Sequence, residues 1–368
     1  MERSELTVPD NPKRIYKASK RRGILLTSAV VAVCILVAIY SLGINAYDMT
    51  FSEAWDVFID HLRNGRPERI AGDHGSYVTW LTDYVVVYSN ASRIAAAAAV
   101  GVILSVGGSV MQTVTHNPLT EPYTIGISSA ALLGYSIAMV YGVCILPFAS
   151  GDAAEIVNAF VFSLIPASAI LFISVFRKMT PMMMVLIGIG MMYLFSAFST
   201  FVRFNASEED LKIIYDWTVG SVGSVTWDQT IILIVAAAVL AALFIFVSGS
   251  VNVLAAGDDE AYGLGLNAVL FRVFCFVAIS VAVAIAVCYT GTIGFVGLVA
   301  PHIARIFTGN DNRLLIPAAA AVGALMIVAG DTLVRWLPGG LPVGVITAII
   351  GSPLFLYFLY RQRKNSIF

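Results

Sequence analysis

The chain has 368 residues, of which 58% are hydrophobic and 12% charged, with a mean hydropathy of +0.85 and a net charge of −1. A water-facing domain carries about 25% charged residues, so the polar surface of a soluble globule is missing, and the near-zero charge gives no bulk attraction to nucleic acid. The apolar residues fall in runs close to the ~20 residues that cross a bilayer as a helix, which points to an all-α polytopic membrane protein.

Residues 1–22 are polar and hold Lys13, Arg14, Lys17, Lys20, Arg21 and Arg22 ahead of a long apolar run with no small-residue cleavage site. They read as a cytoplasmic basic tail rather than a removable signal. Ten apolar segments follow, at about 23–43, 91–114, 122–143, 156–176, 182–203, 228–248, 269–289, 293–307, 314–335 and 342–360. The eighth is short and contains Pro301, so it is either a full span or a broken, re-entrant helix whose backbone protein or water must satisfy. Arg177, Lys178, Arg305, Arg313, Arg361, Arg363 and Lys364 fall on one side if the number of spans is even. Basic residues favour the cytoplasm, which places both termini inside. Arg63, Arg66, Arg69 and Arg93 then lie outside, in or beside a segment of about 44–90 long enough to weaken the rule. Within it Phe51–Ile59, with Trp55 and Phe58, is expected to form an interfacial helix. The four cysteines, Cys34, Cys144, Cys275 and Cys288, are scattered and read as ordinary thiols.

Four segments stand out, and each has a plain structural reading beside a functional one. Gln112-Thr-Val-Thr-His116-Asn117-Pro118-Leu119-Thr-Glu-Pro122 ends one span and makes a rigid turn into the next. Gly257-Asp258-Asp259-Glu260-Ala261-Tyr-Gly263-Leu264-Gly265, within the loop of about 249–268, starts acidic and stops at a glycine. It is either a solvated loop or a short helix that docks a cytoplasmic partner. Gly291-Thr-Ile-Gly294-Phe295-Val-Gly297-Leu298-Val-Ala-Pro301-His302-Ile-Ala-Arg305 has glycines three apart that suit close helix approach. His302 is read as a hydrogen-bonding residue, with haem or metal ligation as its alternative. Pro342-Val-Gly344-Val-Ile-Thr347-Ala348-Ile-Ile-Gly351-Ser-Pro353 puts small residues on one helix face, for packing or for the wall of a pathway. The sequence has no GxxxxGK[ST] phosphate loop and no HExxH pair, which argues for a conduit powered by another polypeptide rather than an enzyme.

These four motifs, in this order, resemble the FecCD family, the permease subunits of type II ABC importers for iron–siderophores, haem and cobalamin, over about residues 23–363. The resemblance implies the type II importer permease fold of about ten transmembrane helices, with a short cytoplasmic tail at 364–368, in a prokaryotic cytoplasmic membrane. It implies a second permease chain, identical or homologous, two cytoplasmic ATPase subunits, an external substrate-binding protein and surrounding lipids as partners. No cofactor or metal is expected on this chain; ATP and Mg belong to the ATPase. Gly257, Asp258, Asp259, Glu260, Ala261, Leu264 and Gly265 match the family's ATPase-coupling segment. Arg93 and Arg335 match its external docking arginines, although Arg335 can also pair with Asp331 one turn earlier. Asn117, Pro118, Gly294, Gly297, Pro301, His302, Gly344, Thr347 and Gly351 are the candidates for pathway or gate. The sequence departs from the family at Asn90-Ala-Ser-Arg93, His116 and Gly340, where a different residue is usual. The expected activity is import of an iron–siderophore, or of haem or cobalamin, by alternating access. A secondary carrier and a haem-binding membrane protein are the alternatives.

Overall fold

A computed structural model describes residues 12–44, 49–147, 149–177, 179–337 and 340–365. Lys178 and the residues beyond 365 lie outside it. The helices in chain order are α1 (Pro12–Leu42), α2 (Phe51–Asn64), α3 (His74–Asp83), α4 (Ser92–Val114), α5 (Ile127–Tyr141), α6 (Asp152–Ser163), α7 (Ile165–Phe176) and α8 (Pro181–Arg203). They continue with α9 (Glu208–Val219), α10 (Trp227–Phe246), α11 (Ser248–Ala256), α12 (Asp258–Gly263), α13 (Ala268–Thr290), α14 (Val296–Thr308), α15 (Asn312–Trp336) and α16 (Val343–Asn365). No strand occurs among the described residues.

Seven helical stretches are long and apolar enough to span a bilayer, and three shorter apolar ones lie at Ile127–Tyr141, Val296–Thr308 and Val343–Phe358. Together they match the ten segments expected from the sequence one for one. Three boundaries differ. The first helix starts at Pro12, inside the tail, and α6 and α7 share the fourth span with a break at Leu164 before Pro166. The second span begins at His74 because α3 runs through a π-helical stretch, Tyr84–Ala91, into α4. At 1.5 Å per residue this 41-residue helix is about 60 Å long, twice the hydrocarbon thickness.

The start of α1 packs beside the end of α14, where Gly23 meets Thr308, and α16 runs toward the same end. This near end also holds the end of α4, α12 and the α7–α8 turn. The far end holds α2, α3, α9 and the starts of α4 and α16. There α2 opens with a capping box, Thr50 and Glu53 bonding each other's backbone N–H, and buries Ala54 against the bundle with Trp55 and Phe58 half-buried beside it. A helix thus forms where one was expected from the sequence, extended to Asn64. Tyr77, Trp80, Tyr84 and Tyr88 stack in a row along the long helix. The guanidinium carbons of Arg66 and Arg69 lie over these rings, at 4.6 Å from Tyr88 and 5.1 Å from Tyr77. The α2–α3 connection is thereby laid onto the helix.

The centre is built on glycine. A methyl group at Gly101 would overlap the backbone of Gly323, and one at Gly323 the backbone of Gly101, so α4 and α15 cross in direct contact. Such approach is what lets helices associate in lipid, where apolar surface alone gives no driving force.

Candidate functional site

Two of the ten segments begin with backbone that is not α-helical. From Thr115 the chain turns back at His116, whose φ is +51°, with Asn117 Oδ1 accepting from the Leu119 N–H at 2.9 Å. It then climbs through Pro118 and a 3-10 turn, Pro122–Ile125, to Gly126, which lies against Met192 at the middle of α8. Only there does α5 begin. From the far end, Gly291–Phe295 descends in the opposite sense to Phe295, whose φ is +68°, and α14 starts at Val296. Phe295 lies against Gly351, eight residues into α16. The eighth segment therefore has a short non-helical lead-in, Gly291–Phe295, and α14 then runs on through Pro301, so the break suggested by that proline does not occur there. The third was expected to be a whole helix; it opens with the 3-10 turn Pro122–Ile125 and becomes α-helical only after Gly126, whose φ is +94°.

The two segments meet against α4. A methyl group at Gly108 would collide with the Gly297 carbonyl, and one at Gly297 would touch Leu104, Pro122 and Glu121. Pro301 has no N–H for the Gly297 carbonyl, so that oxygen takes the Gln112 side-chain amide instead, at 3.4 Å. The same amide reaches the Leu298 carbonyl at 3.3 Å, and Gln112 Oε1 accepts from Arg305 at 2.6 Å. His302 bonds the Leu298 carbonyl through Nδ1 at 2.7 Å and lies between the rings of Phe355 and Phe358. That geometry is the hydrogen-bonding role read from its sequence position.

Gly344 lies against the Val219 carbonyl, Gly351 against Phe295, and Thr347 Oγ bonds the Gly344 carbonyl at 3.0 Å. Their shared face is a packing face. Gly291 and Gly297 make the close approaches expected of them, whereas a methyl at Gly294 would meet nothing. Gly294 is not a packing contact.

At the far end Arg93 Nε donates to both oxygens of Asp331, at 2.7 and 3.0 Å. Arg335 pairs with the same carboxylate at 3.4 Å and donates to the Ile44 carbonyl and to Ser41 Oγ. The intrahelical pair foreseen for Arg335 is present, and Arg93 shares it, so both arginines tie α1, α4 and α15 together. A net positive charge remains on the triad.

At the near end α12 forms where a short helix was expected, and Gly265, at φ +80°, stops it with its N–H on the Tyr262 carbonyl. Gly257, at φ +141°, precedes it so closely that a side chain there would strike the Glu260 carboxylate. Ala261 was expected to face a partner. It is 0% exposed and packs into the chain's own core, because the helix turns its small residue inward. The outward residues are Asp259, Glu260, Tyr262 and Leu264, the last two 64% and 72% exposed. Asp258 pairs at 2.6 Å with Arg272, a fully buried arginine on α13. Sequence reading passed over Arg272, although a lone charge in the run Val269–Phe276 was a visible signal. It also named Glu121 without noticing that the turn before α5 places it at mid-depth.

The FecCD transport model matches residues 32–361. The chain belongs to the FecCD transport family. It is 32% identical to the iron(3+)-hydroxamate import system permease protein of Bacillus subtilis, over 93% of this chain and 84% of that one. It is 33% identical to the hemin transport system permease protein of Yersinia pestis, over 74% of this chain and 82% of that one. A solved structure of an inward-facing metal-chelate type ABC transporter superposes with a TM-score of 0.77 at 25% identity, covering 91% of this chain and 99% of the other. The protein is thus a multi-pass membrane permease with the type II ABC importer permease fold.

Proposed function

We propose that this FecCD permease imports an iron–siderophore, driven by separate ATPase subunits that seat on α12. The observation that carries the energy coupling is α12 itself. It is six residues long, too short to span anything, and it turns Tyr262 and Leu264 outward at the near end. The exposed Tyr262 on α12 and Leu264 at its C-cap, beside the buried Ala261, offer an apolar face to a groove on a partner. The near end is the cytoplasmic side in this reading, since Arg177, Arg305 and Arg313 lie there.

Alternating access follows from the two lead-ins. The segment before α14 has no helical hydrogen-bond ladder to break and that before α5 is a single 3-10 turn, whose Pro122 lies beside the Gly108–Gly297 contact of α4 with α14. Tilting α4 against α14 opens one side of that contact and closes the other, with a second permease chain supplying the opposite wall. An external binding protein delivers cargo to the far end, where the Arg93–Asp331–Arg335 triad presents its net positive charge. The metal-chelate class of cargo rests on relatives that carry ferric hydroxamate and hemin.

The test is ATP-driven uptake into proteoliposomes holding the permease with its ATPase, supplied in parallel with a ferric hydroxamate, haemin and cyanocobalamin. Uptake of the hydroxamate that stops without ATP is expected. Uptake that continues without the ATPase subunits refutes the mechanism, and uptake of haemin or cyanocobalamin alone refutes the cargo. Cysteines at Tyr262 and Leu62 should label from inside and outside respectively in sealed cells; the reverse pattern inverts the orientation.

A further inference from the structure

Arg272 is the largest side chain that the fold buries completely. An arginine in such a place must have its charge and donors met. Its Nη2 donates to Asp258 Oδ1 at 2.6 Å, on the first residue of α12. Its Nε donates to the Val114 carbonyl at 2.7 Å, on the last residue of α4, one of the carbonyls a helix end leaves without an internal partner. Nη1 has no hydrogen-bond partner among the described residues. One planar, rigid group on α13 therefore holds the start of α12 and the end of α4 at once. Only two residues before Val114, Gln112 binds the first-turn carbonyls of α14 and Arg305. Thr113 bonds Asn312 at 3.3 Å, which in turn bonds Asn252 of α11.

We propose that Arg272 is a positioning residue that carries displacement of α12 into the end of α4, and through Gln112 into the mid-depth contact with α14. The inference rests on the energy-coupling reading of α12. A guanidinium suits the task because its donors are fixed in one plane, so moving one acceptor displaces the other. Asp258 is the half of the link open to solvent, its side chain 43% exposed, and Asp258→Asn keeps a side-chain oxygen that can accept from Nη2 while removing the charge that fixes the pair.

The test is hydrogen–deuterium exchange on the complete permease–ATPase complex, nucleotide-free and trapped with MgATP and vanadate. In the parent, trapping should change exchange in both α12 and residues 108–114. In Asp258→Asn the α12 response should remain, and the response in α4, measured against that variant's own nucleotide-free state, should shrink about tenfold, the scale of one charge-assisted hydrogen bond. Asp258→Glu should restore it. Arg272→Lys keeps the charge but cannot hold both acceptors in one plane, and should behave as Asp258→Asn does. An α4 response that persists in Asp258→Asn overturns the inference, as does a parent whose response stops at α12. In either case the coupling reading of α12 still stands. A parent that binds no ATPase overturns both.

Discussion

Asp331→Asn removes the one carboxylate between two guanidiniums. The side chains of Arg93, Arg335 and Asp331 are 19%, 9% and 1% exposed, so solvent screens the triad only slightly. Arg93 loses its paired Nε contacts at 2.7 and 3.0 Å, and Arg335 keeps its bonds to Ser41 and Ile44 while losing its counter-charge. Removing one partner of a buried pair costs about 3–5 kcal/mol, most of it from the charge left behind. Here two like charges are left facing each other, partly offset by the exposure of Arg93, so the expected loss is about 3 kcal/mol. The assay is thermal unfolding of the purified permease in one detergent, for Asp331→Asn, Arg93→Gln and the double variant. Because the double variant removes a cation with the anion, it should recover about 1 kcal/mol or more relative to Asp331→Asn alone. Additive losses in the double variant refute the triad as a structural unit.

Three further outcomes follow from the geometry. Gly108→Ala drives a methyl into the Gly297 carbonyl and should cost about 3 kcal/mol or more, while Gly294→Ala, with open space around it, should stay within about 1 kcal/mol; equal melting temperatures refute the crossing. Leu264→Asp should weaken ATPase binding about tenfold with normal membrane levels, since the side chain is outward; Ala261→Arg should instead lower the level of folded chain, which immunoblotting of membranes will show. The Thr50 backbone N–H and hydroxyl hold the Glu53 carboxyl below the usual carboxylate value. Its capping contribution is therefore present at neutral pH and is lost only as pH falls through that lowered value, so α2 amide exchange should be flat from neutral to mildly acidic pH and accelerate below it.

The ten apolar segments were legible because bilayer solvation demands long runs, and the α12 stop was legible because Gly265 must take a positive φ. What the sequence concealed were the facing directions. Ala261 and Leu264 are three apart and share a helical period, yet α12 ends at Gly263, so Leu264 swings outward while Ala261 stays in. The break before α5 was hidden for another reason. Pro118 and Pro122 marked a turn, but hydropathy cannot separate one continuous α-helix over residues 122–143 from a 3-10 turn that hands over to α5 at Gly126. Arg93 and Asp331 are 238 residues apart, a pairing that no local pattern could reveal.

The long helix His74–Val114 has a mechanical consequence. It is gripped at Gly101 by α15, and the arms on either side of that grip differ: about 40 Å to His74 and about 20 Å to Val114. A stiff rod held there is a lever of unequal arms, and a shift of 1 Å at its inner tip arrives at the outer tip as about 2 Å in the opposite direction. Any compliance lies in the π-helical stretch Tyr84–Ala91, midway along the outer arm, and the stacked rings of Tyr84 and Tyr88 with Arg66 above them splint that stretch. Under the proposed coupling, a displacement at the α12 end reaches the outer tip enlarged and reversed.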